Sequence, residues 1–397
     1  MLVWDVPGPA VARCVAFDVL LRVEQGAYAG DLLLHRGQFL QPADAALAQE
    51  IVFGVLRRQP QLDFLLQPYL RRELSRLDPG VRTALRMGAF QLHYLERVPV
   101  HAIVNDSVGL VKRARLTSAS GLVNAVLRKV HSAGLPDSWP DRETRLCVPA
   151  WMLARWDAAY GADRADRIAE AFLQKPAIYV RIPPSVSPTD FPQCELDATD
   201  IHGCYRVLRG NPGAAGLRQS DIGSQWIGTL VQAGPSDPVL DLCAAPGNKT
   251  AVIAERAPIA AACDLHLSRL RSMPPPHHPR VQLDAAEPLP FHGKFPWILL
   301  DAPCSGTGTL GRNPEIRWRI SPAAIEAFPP LQRKLLRNAL AVLAPGGTLV
   351  YSTCSLEVEE NENVVADICH DYDVEVLRRL PGEAPGDGFF AAVIRAR

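Results

Sequence analysis

Apolar residues recur three and four apart through the first third of the chain. Val11–Val23, Ala45–Leu56, Leu62–Leu70, Val81–Leu95, Ile103–Leu110 and Leu122–Val130 all keep that spacing, which is the period of a helix with one buried face. Pro42, Pro60, Pro79–Gly80 and Pro99 punctuate between them. The pattern predicts an all-α domain over residues 10–131, of about six or seven helices. Ser132–Pro149, with Gly134, Pro136 and Pro140, reads as a linker over 132–149. Trp151–Gln174 is again helical, and Ile178–Leu217 reads as short strands between Pro and Gly turns (IYVRIPP, CYRVLRG). Residues 150–224 are therefore expected to form a small α+β subdomain. From about Gln225 strand-like and helix-like runs alternate: VLDL then AVIAE, AACD then LSRLRSM, VQLD, WILLDAP then LQRKLLRNALAVL, TLVYS then ENENVVADICH, and a closing AAVIRA. That alternation predicts a parallel sheet with crossovers, an α/β domain over 225–397.

Two of the strand-like runs end in a cysteine motif. Leu299–Gly308 reads LLDAPCSGTG and Leu349–Glu357 reads LVYSTCSLE, so Cys304 and Cys354 are expected at strand C-terminal ends, the edge where open α/β sheets bind ligands. A thiol needs help to ionise. Ser355 and the acids Glu357, Glu359 and Glu360 announce a helix start that would supply it to Cys354. Cys304 shares a turn with Pro303 and Asp301. A lone cysteine is usually a small buried hydrophobe, and that reading covers Cys14, Cys147, Cys194, Cys204, Cys263 and Cys369.

A third strand enters a turn at Val239–Thr250, VLDLCAAPGNKT, where Gly247 lets backbone amides approach a ligand. It is neither GxxxxGK[ST] nor GxGxxG. A GxGxxG match at Gly306, Gly308 and Gly311 is weak, because Pro314 interrupts the helix that should follow. Asp241, Asp264, Asp284 and Asp301 stand at successive strand ends. A carboxylate after the second strand of such a sheet binds ribose hydroxyls, although a cap or turn role explains any single one as well. The histidines form no triad or metal spacing.

Length and composition change little. The 397 residues suit two or three domains, and 48% hydrophobic content suits a globular core. No apolar run would span a bilayer. The opening MLVWDVPGPA lacks the basic and long apolar segments of a secretion signal, so a cytoplasmic protein is expected. Nine scattered cysteines without a CxxC argue against a disulfide framework or a zinc site. Zero net charge hides an asymmetry: residues 1–131 carry 16 Lys+Arg against 11 Asp+Glu, the remainder 26 against 31. A basic helical domain can touch phosphates through Arg57, Arg58, Arg71, Arg72, Lys112, Arg113 and Arg115. A solvated mixed-charge surface accounts for the same residues.

DLCAAPGNKT, DAPCSGTGTLGRNPEIRWR, GGTLVYSTCSLEVEENENVV and the late GDGFF resemble the RNA (cytosine-5) methyltransferases of the Sun/Nop2 type. LRMGAFQLHYLERVPVHAIVNDSVGLVK and GLVNAVLRKV resemble the NusB-like RNA-binding domain. Together they are similar to the subfamily acting on small-subunit ribosomal RNA. The resemblance implies a Rossmann-like S-adenosylmethionine-dependent methyltransferase sheet, preceded by a small α+β RNA-binding subdomain and an all-α NusB-like domain. It implies methylation of cytosine carbon 5 in small-subunit ribosomal RNA. Nothing in the sequence speaks against a monomer, and the cysteine spacing and apolar runs leave no metal or membrane expected. Cys354 would be the nucleophile, Cys304 would assist product release, and Asp301 would sit near the methionine moiety and the base. Cys243, Ala244, Ala245, Pro246, Gly247, Asn248 and Lys249 would line the cofactor pocket with Arg269, while Asp264 would hold the ribose and Asp284 the adenine. Two departures stand out. Asn248 replaces the family's usual Gly, tolerable because Asn accepts left-handed backbone better than most residues. The stretch between Asp264 and Asp284 is short and contains Pro274–Pro276, so its helix is expected to be truncated.

Three other readings remain open on sequence. A NusB-like assembly factor with an inactive enzyme domain would bind RNA without turnover. A DNA cytosine methyltransferase would place the nucleophile in the PC motif and spare Cys354. A nucleotide-dependent oxidoreductase would use Gly306–Gly311 and bind nicotinamide.

Overall fold

The computed structural model describes residues 9–96, 98–273 and 278–396. Contacts divide the chain into two compact units: one runs up to Ala154 and includes Gly311–Trp318, and the other comprises Arg155–Leu310 and Arg319–Arg397.

The first unit is helical. Val11–Glu24, Pro42–Arg57, Gln59–Leu66, Pro79–Tyr94, Val100–Arg113 and Ser120–Ala133 follow the apolar spacing read from the sequence, and Ala29–Gly37 is a further helix that no such run marked. The spacing works because it puts Phe17, Ile51, Leu62, Leu66, Leu85, Met87, Leu110 and Leu127 into one core. Pro79 opens its helix and Asp78 accepts from Gly80 N at 2.8 Å, so a breaker and a cap fix that start together.

Gly311–Trp318 folds with these helices, although the sequence pattern places it in the α/β domain. Ala29 N donates to Glu315 Oε1 at 2.8 Å, and Arg57 Nε donates to the Gly311 carbonyl at 3.0 Å. Arg317 Nη1 donates to the Cys147 carbonyl at 2.9 Å, and Trp318 Nε1 to the Leu56 carbonyl at 2.8 Å. Arg57 is therefore buried, with its pKa drawn down to about 10 by desolvation, and is no phosphate contact. Arg113 pairs with Asp18 at 2.8 Å, and Arg58 lies over the Tyr94 ring at 4.4 Å. Arg71, Arg72, Lys112 and Arg115 are exposed.

The second unit opens with the end of the helix Ala150–Tyr160 and the helix Ala162–Leu173, followed by a small antiparallel sheet of β1 (Ile178–Arg181), β2 (Glu195–Ala198), β3 (Cys204–Arg209) and β4 (Arg218–Gln219), in the order β2-β3-β1-β4. The main sheet holds β5 (Val239–Leu242), β6 (Ile259–Asp264), β7 (Arg280–Gln282), β8 (Phe295–Asp301), β9 (Leu343–Thr353), β10 (Asp373–Arg379) and β11 (Phe389–Arg395), in the order β10-β11-β9-β8-β5-β6-β7. β5 to β9 are parallel as expected. β10 and β11 are antiparallel to each other, since no helix lies between them to carry a crossover, and β11 turns back to pair antiparallel with β9. The order reverses between β5 and β8, the switch point at which such sheets bind ligands. Register pairs Leu242 with Cys263 and with Leu300, and Asp301 with Ser352. Residues far apart in sequence thus emerge along one edge. Among the described residues no helix is long and apolar enough to cross a membrane.

Candidate active site

Cys304 and Cys354 meet at that edge with their sulfurs 3.4 Å apart, and both are half-buried. The Cys304 thiol is pushed well above its usual range, first by its hydrogen bond to Cys354, then by burial and by the Cys354 and Glu360 charges. Asp301 ends β8 beside them. Its carboxylate accepts from Lys249 Nζ at 2.6 Å and from Ser352 Oγ at 2.9 Å. Burial works against the Lys249 charge, but the Asp301 carboxylate outweighs it and the lysine pKa is raised, so the lysine keeps its charge. Lys249 Nζ also lies 5.2 Å from the centre of the Phe389 ring.

The expected helix start immediately after Cys354 is absent; the next helix is Glu362–Ile368. The intervening loop bonds instead to the Cys304 turn. Gly308 N donates to the Cys354 carbonyl at 2.9 Å, and Leu356 N to Thr307 Oγ1 at 2.9 Å. The acids read as a helix signal serve elsewhere: buried Glu357 accepts from Arg155 Nε at 2.8 Å and Trp156 Nε1 at 3.2 Å. The glycines of the GxGxxG match also have another purpose. A Cβ on Gly308 would fall 2.4 Å from the Gly388 carbonyl oxygen, so this glycine permits a close backbone approach between loops.

Cys243, Ala244, Ala245, Pro246, Gly247, Asn248 and Lys249 form the turn between β5 and the helix Asn248–Ala254. Left-handed backbone falls on Cys243 and Gly247, not on Asn248. Asn248 needs no such tolerance and has a different job: its Oδ1 accepts from Arg218 Nε at 3.0 Å and Nη2 at 2.6 Å, while Nη2 also reaches the Pro246 carbonyl at 2.9 Å. Burial pushes the Cys243 thiol up, which keeps it protonated. Asp264, almost fully buried, accepts from Ala245 N at 3.3 Å and His266 N at 2.9 Å. Arg269 Nη2 donates to the Ala245 carbonyl at 2.7 Å, so it braces the turn from outside. Asp284 is exposed and caps its own turn through Ala286 N at 2.9 Å. The helix after Asp264 is short, Leu267–Arg271, as expected; Pro274–Pro276 lie outside the described residues.

A cleft with about 380 Å³ of open space runs along this edge, walled by Leu265, Leu283 and Pro303 and flanked by Cys243, Asp264 and Asp284. Aliphatic walls with two carboxylates suit a nucleoside, whose base is flat and apolar in face and whose sugar hydroxyls donate. Beneath it, Asp241 accepts from Thr250 Oγ1 at 2.5 Å through one oxygen, and its other oxygen is buried without a hydrogen bond. Burial lifts this carboxyl to about 7.

Residues 229–395 match the 16S rRNA methyltransferase RsmB/F family, and residues 10–132 match the NusB family. The ribosomal RNA small subunit methyltransferase B of Thermus thermophilus is 36% identical over 365 residues, covering 89% of this chain and 86% of that protein. The chain belongs to this methyltransferase B family. The Enterobacter member is 32% identical over 412 residues, covering 93% and 95%. The crystal structure of PH0851 superposes with a TM-score of 0.79 at 19% identity over 98% of this chain and 100% of that one, a likeness of fold. A methyltransferase homolog from Pyrococcus horikoshii matches with a TM-score of 0.56 at 26% identity, over 66% of this chain and 100% of the other.

Against this family background, Ser352, Arg218 and Ser305 were not singled out in the sequence, and Ser355 and Glu360 were read only as a helix signal. One signal was present: both motifs read Cys-Ser, at Cys304–Ser305 and Cys354–Ser355.

Proposed function

We propose that this methyltransferase acts on carbon 5 of a cytosine in small-subunit ribosomal RNA through a covalent adduct to Cys354, with Cys304 assisting release. The observation that carries the reading is the thiol pair 3.4 Å apart, on the same sheet edge as Asp301 and the cleft lined by Asp264 and Asp284. The relatives' names supply the RNA class, and the NusB family match over 10–132 fits an RNA partner. The working unit is taken to be a monomer without metal.

Carbon 5 of cytosine is a poor nucleophile. Addition of the Cys354 thiolate to carbon 6 forms an S–C bond and shifts an electron pair onto carbon 5. Asp301, held by Lys249 and Ser352, faces the charge that develops on the ring nitrogen. Asp264, Asp284 and the turn from Cys243 to Lys249 would hold S-adenosylmethionine, which supplies an electrophilic sulfonium methyl when bound. The carbon 5 proton then leaves to a base, the ring double bond re-forms, and the S–C6 bond breaks to free Cys354. Cys304, hydrogen-bonded to the departing sulfur, assists there. The target base must be unpaired or flipped out to be reached.

Labelled S-adenosylmethionine and small-subunit ribosomal RNA lacking the modification test this directly. Cys304→Ala should accumulate a denaturant-resistant protein–RNA adduct, and Cys354→Ala should give neither adduct nor transfer. Full activity in Cys354→Ala would move the nucleophile to Cys304, and RNA binding without turnover by the wild type would leave a binding factor.

A further inference from the structure

The two cysteine loops share one buried hub. Glu360 has no exposed surface. Its carboxylate accepts from Ser305 N at 2.8 Å, from Ser305 Oγ, from Ser355 Oγ at 2.6 Å and from Gln332 Nε2 at 3.1 Å. Ser305 follows Cys304 and Ser355 follows Cys354, and their hydroxyls lie 3.0 Å apart. Gln332 also donates to the Pro303 carbonyl at 2.9 Å, on the other side of Cys304. The Tyr351 hydroxyl donates to the Glu360 main-chain carbonyl at 2.7 Å, tying the hub to β9.

A buried carboxylate is costly unless its acceptor sites are filled. Here the donors are neutral hydroxyl, amide and backbone groups, and three of the four come from the residues that follow the two thiols. A loop of this size could be closed with apolar contacts. A carboxylate does something they cannot, because it fixes two separate turns at hydrogen-bond precision on a single pair of oxygens. Its charge also adds to the forces that keep the Cys304 thiol protonated next to Cys354.

We propose that Glu360 is the positioning residue of the two-thiol reaction: by holding Ser305 and Ser355 on one acceptor it sets Cys304 against Cys354. The inference rests on the two-thiol reading above and goes beyond it by naming what fixes the thiol pair. Addition to the base needs Cys354 and Asp301, whereas release needs Cys304 in register. Loosening the hub therefore slows release more than addition.

The test uses the full chain with Glu360→Gln, which puts an NH2 where one acceptor oxygen stood and so displaces one donor. The expected result is a kcat lower by about tenfold with the KM for S-adenosylmethionine within about twofold of wild type, since Glu360 does not line the cofactor cleft. The fraction of enzyme held as denaturant-resistant adduct should rise toward that of Cys304→Ala. Ser305→Ala and Ser355→Ala, which remove only hydroxyls, should shift the adduct fraction the same way and by less, and they serve if Glu360→Gln melts. A wild-type adduct fraction in these folded variants overturns the proposal, as does a parallel loss of adduct and turnover that tracks melting temperature alone. Cys304→Ala and Cys354→Ala run alongside separate the two claims. If Cys354→Ala stays active, the two-thiol reading fails and Glu360 falls with it; if both controls behave, the result speaks to Glu360 alone.

Discussion

Arg218 and Asn248 act as a pair at the turn after β5, and the pairing can be measured. Arg218→Met strands the Asn248 amide oxygen and the Pro246 carbonyl. S-adenosylmethionine affinity should fall by about tenfold, in line with about 1.5 kcal/mol for hydrogen bonds made by a charged group. Adding Asn248→Gly should recover part of the loss, with a coupling of about 1 kcal/mol in a double-mutant cycle read by calorimetric titration. Asp241 predicts a pH effect. Its folded pKa of about 7 lies above the usual carboxylate value, so the folded state binds more protons, and this group makes folding less favourable as pH rises from about 4 to about 7. Asp241→Asn should remove that slope. Relative to wild type, the variant should gain about 2 kcal/mol between pH 5 and pH 7 in denaturant melts of the free protein, an order-of-magnitude figure. Cys304, Cys354 and Asp301 were legible because each sits in a short contiguous motif at a strand end. Arg218 and Glu360 were not, since each acts on a partner distant in sequence and is typical, by type, of a solvated surface.

Elements were read well where burial imposes a period. The helices of residues 10–131 and the parallel strands β5 to β9 follow from apolar spacing. What escaped was set by hydrogen bonding between loops. Residues 355–361 look like a helix start by acid content, yet Thr307, Ser305 and Gly308 claim the loop as a partner of the Cys304 turn. Period says nothing about such pairings. Gly308 gives the sharpest check on that loop pair. Gly308→Ala must separate the Cys304 turn from the Gly388 carbonyl. It should cost about 1–3 kcal/mol by thermal melt, as overpacking does, and methyl transfer should fall further than stability, because the carbonyl of Cys354 hangs on the same glycine amide.

At the scale of the whole molecule, charge and connectivity make separate predictions. Arg71 and Arg72 are exposed on the unit carrying the positive surplus, while Arg57 is consumed inside it. If the first two meet phosphates, replacing both by Ala should lower the salt-dependence slope of RNA binding by about two. Arg57→Ala should leave that slope unchanged and reduce stability. Connectivity carries a further consequence. Gly311–Trp318 belongs to the helical unit while both of its chain neighbours belong to the other. A chain stopped at residue 154 lacks Trp318 and Arg317, and a chain started at 155 carries them with their partners missing. Neither half is a self-contained module. An exchange of the helical unit between relatives has to transplant this short stretch from within the other unit as well.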